Sequence, residues 1–164
     1  MKVLFFANTG WYLYNFRLGL ARFLREQGAE VVMMSPYGVY GPRIEAVGFC
    51  WLAFPMDRRS LNLVGELRLL GRILEILRAE RLDVIHNFTI KCVVYGSLAA
   101  RQLGIGRRIN AVTGLGHVFV SDSLRARLLR LLVKPLLKLA LGGSENRLIL
   151  LRMMYTFFQA RPGR

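Results

Sequence analysis

Cysteine is nearly absent. Cys50 and Cys92 are the only two, too few for a disulfide scaffold and without metal-ligand spacing. Both sit in apolar surroundings, which predicts buried, reduced thiols and fits a reducing cytoplasm. No metal site is expected. No uncharged run approaches the roughly 18–20 residues that cross a bilayer. The N-terminus offers only Val3-Leu4-Phe5-Phe6-Ala7 between Lys2 and Asn8, too short for a secretory signal. There is no internal repeat and no low-complexity linker. No Gly-x-Gly-x-x-Gly fingerprint and no Gly-Lys-Ser/Thr phosphate loop appear, which weakens any dinucleotide or nucleotide-triphosphatase reading.

Acidic residues are also scarce. Ten Asp and Glu stand against 24 Lys and Arg, a formal charge of +14. The excess is uneven. Residues 1–100 carry twelve cations against eight acids, a net +4, and residues 101–141 carry eight against one, a net +7. Such a field seeks phosphate: an anionic lipid, a lipid-linked diphosphate or nucleic acid. Nucleic acid is disfavoured, because no recognised module is present and the cations are not interleaved with stacking aromatics.

What remains is apolar. The hydrophobic fraction of 54% in 164 residues is enough for one packed domain and argues against disorder. Continuous apolar runs at 2–7, 30–34, 49–54, 83–86, 108–112 and 147–151 read as buried strands. Helical periodicity falls on 15–27, 43–47, 63–80, 93–103 and 123–141. This alternation predicts an α/β, Rossmann-like, three-layer domain with a mostly parallel sheet.

Three polar segments follow strands: Asn8-Thr9-Gly10, His86-Asn87-Phe88-Thr89 and Thr113-Gly114-Leu115-Gly116. In a parallel sheet they meet at one rim, where ligands bind. In the first, Gly10 permits a tight turn or a close backbone approach. Trp11, Tyr12 and Tyr14 stack on a sugar, seat in a lipid interface or simply pack beneath a loop. In the second, His86 ends its strand, as a hydroxyl ligand or base or as a structural residue. Lys91 is a phosphate clamp or a solvated charge at a helix start. In the third, Gly114 and Gly116 expose amides as an anion nest or form a plain turn. The 123–141 helix sets Arg127, Arg130, Lys134 and Lys138 on one narrow sector, opposite a broad leucine face. That suits an anionic membrane, or a core-packed helix with a solvated cationic side.

The stretches Lys2 to Arg17 (KVLFFANTGWYLYNFR), Asp57 to Asn62 (DRRSLN), Asp83 to Lys91 (DVIHNFTIK), Tyr95 to Ala100 (YGSLAA) and Asn110 to Phe119 (NAVTGLGHVF) together resemble the N-terminal domain of family 4 glycosyltransferases of GT-B architecture. The likeness is to bacterial capsule, exopolysaccharide and lipid-linked oligosaccharide enzymes. It spans about 1–150. It implies retaining transfer of a hexose or N-acetylhexosamine from a nucleotide sugar, with a UDP-sugar expected, to a polyprenyl-diphosphate-linked or saccharide acceptor at the cytoplasmic membrane face. It also implies that this half holds the acceptor, through Thr9, Gly10, Asn15, Arg17, His86, Thr89, Lys91, Thr113, Gly114 and Gly116. Individual catalytic roles do not follow from the resemblance; His86 is the candidate catalytic group from its place at a strand end. No cofactor is expected on this chain.

The family's donor domain, with its Glu-rich motif, is not found in these residues. Residues 151–164 form an atypical tail: a one-base shift of Arg-Met-Met-Tyr-Thr-Phe-Phe reads Ala-Asp-Asp-Val-His-Phe-Phe given suitable codons, which suggests a frameshift. The resemblance therefore predicts an acceptor-side half, inactive alone. It would be a truncated product, or a subunit that pairs with a separate donor chain or self-associates. The competing expectation is a non-catalytic, membrane-associated module for anionic lipid or lipid-linked sugar.

Overall fold

The structure is a computed structural model that describes residues 1–56, 62–112, 131, 135–142 and 146–150. Six parallel strands form one sheet: β1 (Lys2–Phe6), β2 (Glu30–Pro36), β3 (Cys50–Phe54), β4 (Val84–Phe88), β5 (Arg107–Val112) and β6 (Asn146–Leu150). Their spatial order is β3-β2-β1-β4-β5-β6. Five helices connect them: α1 (Gly10–Phe16), α2 (Leu18–Glu26), α3 (Tyr40–Ala46), α4 (Leu63–Glu80) and α5 (Ile90–Gln102), with a further helical stretch at 135–141.

The apolar strands alternate between two covered faces. Val3 and Phe5 of β1, with Val31 and Met33 of β2, pack under Leu13, Leu18 and Ala21 of α1 and α2 and Ile44 of α3. Leu4, Phe6, Val32 and Met34 point the other way, under Leu69, Ile73 and Leu77 of α4 and Ala99 and Ala100 of α5. Burial on both sides explains why these strands read as unbroken apolar runs rather than as alternating ones. Leu137 and Leu141 extend the α4–α5 layer by packing with Val93 and Val112.

Several boundaries differ from the sequence expectation, each for a local reason. The helix expected at 15–27 begins at Gly10 and is split at Arg17, whose φ of −120° leaves the helical range. Thr9 starts it: its hydroxyl accepts from the Tyr12 N–H at 3.2 Å, satisfying one orphan donor of the first turn. β4 does not stop at His86 but continues through Asn87 and Phe88. Asn87 can lie in a buried strand because its amide donates to Asn110 Oδ1 at 2.8 Å and to Ser97 Oγ at 3.3 Å, while Ser97 Oγ also donates to Asn110 at 2.9 Å. All three residues are fully buried. Cys92 is buried, but Cys50 is exposed at the start of the edge strand β3, which corrects the expectation of two buried thiols.

The polar triad depends on Gly96. A Cβ there would lie 2.0 Å from Asn87 Oδ1 and 2.9 Å from the Phe6 ring. Gly96→Ala should cost about 2–4 kcal/mol, by overpacking and by breaking buried hydrogen bonds, read as a lower urea midpoint. Gly19→Ala, with open space at its Cβ on the exposed side of α2, should instead be neutral or stabilising by up to about 1 kcal/mol.

Candidate functional site

The strand order reverses direction between β1 and β4. β2 and β3 lie outward from β1 on one side, and β5 and β6 outward from β4 on the other. The chain leaving β1 turns into α1 on one face, and the chain leaving β4 turns into α5 on the opposite face. A crevice at the carboxyl ends of these strands is the expected ligand position in a doubly wound sheet. The β1–α1 and β4–α5 junctions are direct neighbours, since Phe6 pairs with Asn87. β5 lies next, and the Thr89 N–H donates to the Ala111 carbonyl at 3.4 Å. The first two polar segments thus leave adjacent strands at one rim, and β5, which the third follows in sequence, ends beside them. Thr113, Gly114 and Gly116 themselves lie outside the described residues, as do Arg127, Arg130 and Lys134 of the basic helix and the 151–164 tail.

Arg17 is the side chain that joins the first two junctions. Its guanidinium carbon lies 4.6 Å from the centroid of the Phe88 ring and 5.0 Å from that of Tyr12. Its Nε donates to the Tyr12 hydroxyl at 3.0 Å, and its Nη2 donates to the same oxygen. Tyr12 in turn packs on Phe88, with ring centroids 5.6 Å apart. Two aromatic faces and a hydroxyl hold the cation in place. No carboxylate among the described residues pairs with it.

The neighbouring candidates have local partners. Gly10 does not make a turn: it opens α1, where a Cβ would come within 3.1 Å of Ser35 Oγ and Tyr40 Cβ. It therefore serves the close approach of α1 to the end of β2 and the start of α3. Asn15 Nδ2 donates to the Trp11 carbonyl at 2.8 Å, one helical turn back. Thr89 is the single residue between β4 and α5, and holds φ 74° and ψ 149°, a region costly for a β-branched residue. Lys91 is neither an open phosphate clamp nor a solvated charge. Its ammonium pairs with Glu66 Oε1 of α4 at 2.8 Å, both side chains being mostly buried. The Tyr95 hydroxyl donates to Glu66 Oε2 at 2.6 Å, and burial plus that carboxylate push its pKa up. The knot ties α4 to α5, on the far side of the sheet from Arg17. Sequence reasoning missed Glu66 and Tyr95, whose separation of 29 residues leaves no local pattern.

His86 lies one pleat below the rim, in mid-strand. Its ring packs against Phe88 at 4.1 Å and edge-on to Phe5 at 5.4 Å. Nε2 is buried without a hydrogen-bond partner. Burial, and secondarily the Arg17 charge, lower its pKa from 6.5 to about 4, so the ring is neutral at physiological pH. Among the described residues no cluster of His, Cys, Asp and Glu could hold a metal. Of the basic helix, Lys138 is described and exposed. Leu136 and Leu139, expected on its apolar face, are also exposed, while Leu137, Ala140 and Leu141 turn inward.

The neutral imidazole has a consequence for stability. As pH falls below 6.5 the unfolded chain takes up a proton that the folded ring refuses until about pH 4, so stability falls across that window. The loss from this group should reach about 3 kcal/mol. Urea denaturation of wild type and His86→Leu at pH 7 and pH 4.5 should show a smaller acid loss in the variant. Equal losses would contradict a buried neutral ring.

Comparison with known proteins places this arrangement. The family model described as glycosyl transferase 4-like matches residues 2–149. Over 140 residues the chain is 27% identical to the N,N'-diacetylbacillosaminyl-diphospho-undecaprenol alpha-1,3-N-acetylgalactosaminyltransferase of Campylobacter jejuni, covering 85% of this chain and 37% of that enzyme. Among solved structures, Acinetobacter baumannii MurG superposes with a TM-score of 0.59 at 17% identity, over 91% of this chain and 44% of that one. Sucrose-phosphate synthase from Thermosynechococcus elongatus gives 0.60 at 15% identity, over 98% and 45%. The chain thus spans less than half the length of each of these relatives. With the family model matched across nearly all of the described sheet, and the same fold in both solved structures, the chain belongs to the glycosyl transferase 4-like family, as an N-terminal domain of GT-B type.

Proposed function

We propose that this chain is the acceptor-holding half of a retaining glycosyltransferase, which moves a hexose or N-acetylhexosamine from a nucleotide sugar to a lipid-linked or saccharide acceptor. The observation that carries the reading is the oriented Arg17 guanidinium at the junction of β1–α1 with β4–α5. A planar, permanently charged fork with no carboxylate partner among the described residues suits a diphosphate, such as the one that links a sugar to its lipid. The Campylobacter relative, whose name includes a sugar joined by a diphosphate to undecaprenol, supports that acceptor class. In this reading Thr9, Gly10, Asn15 and Thr89 join Arg17 at the rim, and the family likeness adds Thr113, Gly114 and Gly116, which follow β5 in sequence. His86 supports this site from below as a neutral ring packed against Phe88.

The nucleotide sugar, a UDP-sugar by expectation, is gripped outside these residues. The described residues form one wall of a cleft. Preorganised charge on both sides of the transferred group supplies much of the rate in such reactions. Residues 1–164 alone therefore hold the acceptor without turning it over, and pair with a donor-binding half to do so. A lipid on the acceptor brings the work to a membrane surface, on its cytoplasmic face by the expectation drawn from the family likeness. Among the described residues no helix is long and apolar enough to cross one.

The test separates holding from transfer. A detergent-soluble, short-chain polyprenyl-diphosphate N-acetylhexosamine should bind the purified chain. Arg17→Ala should weaken that binding by about tenfold or more, and Arg17→Lys by less, since an ammonium lacks the fork. Incubation with labelled UDP-sugars should give no product until a donor-domain polypeptide is added. Turnover by the chain alone, or unchanged binding by Arg17→Ala, would overturn the proposal.

A further inference from the structure

α2 has an apolar sector wider than the core it covers. Leu18 and Ala21 are buried against the sheet. On its other flank Leu20 and Phe23 are 37% and 55% exposed, and Phe16 and Trp11 on α1 are 57% and 48% exposed. Leu20 and Phe23 lie at i and i+3 on one side of α2, and Phe16 ends α1 just before the Arg17 break. The Trp11 ring meets Phe16 edge-on at 5.2 Å, and Phe16 also touches Tyr12 at 5.6 Å. The aromatic end is thus preassembled and stands in the first turn after the rim. None of these four side chains belongs to the core among the described residues.

Charge identifies the occupant. Across α1 and α2 the sequence carries Arg17, Arg22 and Arg25 against Glu26 alone, within a chain of net charge +14. Two copies facing each other through these four side chains would oppose like charges. The exposed parts of four such side chains amount to roughly 400 Å², well below the about 800 Å² per partner of a stable protein interface. A bilayer needs no matched partner surface. Adjoining helices that expose Trp, Phe and Leu in a strongly basic chain are the pattern that lies in the headgroup zone of anionic lipid.

We propose that the Trp11–Phe16–Leu20–Phe23 stripe of α1 and α2 is a membrane-docking surface for an anionic bilayer. It lies on the opposite face of the sheet from the 135–141 helical stretch with exposed Leu136, Lys138 and Leu139. Contact through the stripe lays Trp11 at the headgroups and brings the adjacent rim to the membrane surface. The inference goes beyond the acceptor reading and does not need it, because it can be tested on vesicles without acceptor.

The experiment is flotation of the purified chain with vesicles of phosphatidylcholine alone, or with 30% phosphatidylglycerol, at low salt. Wild type should float with the anionic vesicles, and its fluorescence should be quenched by brominated acyl chains. Phe16→Ser/Phe23→Ser should bind at least about tenfold more weakly with an unchanged thermal midpoint, because both side chains are exposed. Leu136→Ser/Leu139→Ser should bind like wild type. Failure of wild type to float, equal flotation of the Phe16→Ser/Phe23→Ser variant, or loss of binding in the leucine variant alone would overturn the proposal. So would a stripe variant whose only effect, by light scattering, is to turn a dimer into a monomer.

Discussion

The molecule depends on β1 having two parallel neighbours that lead in opposite directions. β2 pairs on one side through five residues, from Lys2 with Glu30 to Phe6 with Met34, and β4 pairs on the other, from Val3 with Val84 to Phe6 with Asn87. Because strand connections are right-handed, the chain leaving β1 and the chain leaving β4 must cross on opposite faces. The two junctions therefore splay apart above the strands that hold them together. Every candidate contact at the rim follows from that geometry. Arg17 spans it by reaching from the end of α1 to Phe88 at the end of β4.

That central pairing is protected by different means on its two faces. On the α1–α2 side the protection is aromatic: Phe5, Phe88, His86 and Tyr12 form a continuous ring cluster. On the α5 side it is polar, with the Asn87 amide nitrogen, Ser97 and Asn110 hydrogen-bonded to one another beneath Gly96, while Asn87 Oδ1 is buried without a partner among the described residues. A buried polar network of this kind fixes a single arrangement of α5 over β4 and β5, since any slip would leave amides unpaired. At the opposite end of the strands, the Lys2 ammonium bridges Glu30 and Glu80, and the Lys2 N–H donates to Asp83. These contacts hold the β1, β2 and β4 entrances together.

Much of this was legible in the chain because fully buried parallel strands announce themselves as unbroken apolar runs. β1 and α4 fell where hydropathy placed them, and the alternation of elements dictated the sheet class. Two of the failures share one cause. His86-Asn87 reads as a loop because two polar residues in a row argue against a buried strand, and the partners that make Asn87 acceptable lie 10 and 23 residues away. Lys91 reads as free for the same reason, since Glu66 precedes it by 25 residues. The early start of α1 was local but faint: Trp11, Tyr12 and Tyr14 are indifferent helix formers, and only the Thr9 cap marks the boundary. Arg17 was singled out by family likeness, and its setting between two rings has no signature in spacing.

The two rim cations show how the fold sorts charge. Lys91 stands in the first turn of α5 and Arg17 at the break between α1 and α2, and both side chains are cations near the rim. The fold neutralises one of them: Glu66 and Tyr95 enclose the Lys91 ammonium between α4 and α5. The other is surrounded by groups that orient it without cancelling it. Aromatic faces and a tyrosine hydroxyl stabilise a guanidinium while leaving its charge intact, and the adjacent His86, kept neutral by burial, adds no repulsion. Holding an uncompensated charge in a fixed pose is costly unless an anion shares it. Among the described residues no carboxylate supplies that anion, and the Tyr12 hydroxyl and two ring faces hold the guanidinium instead.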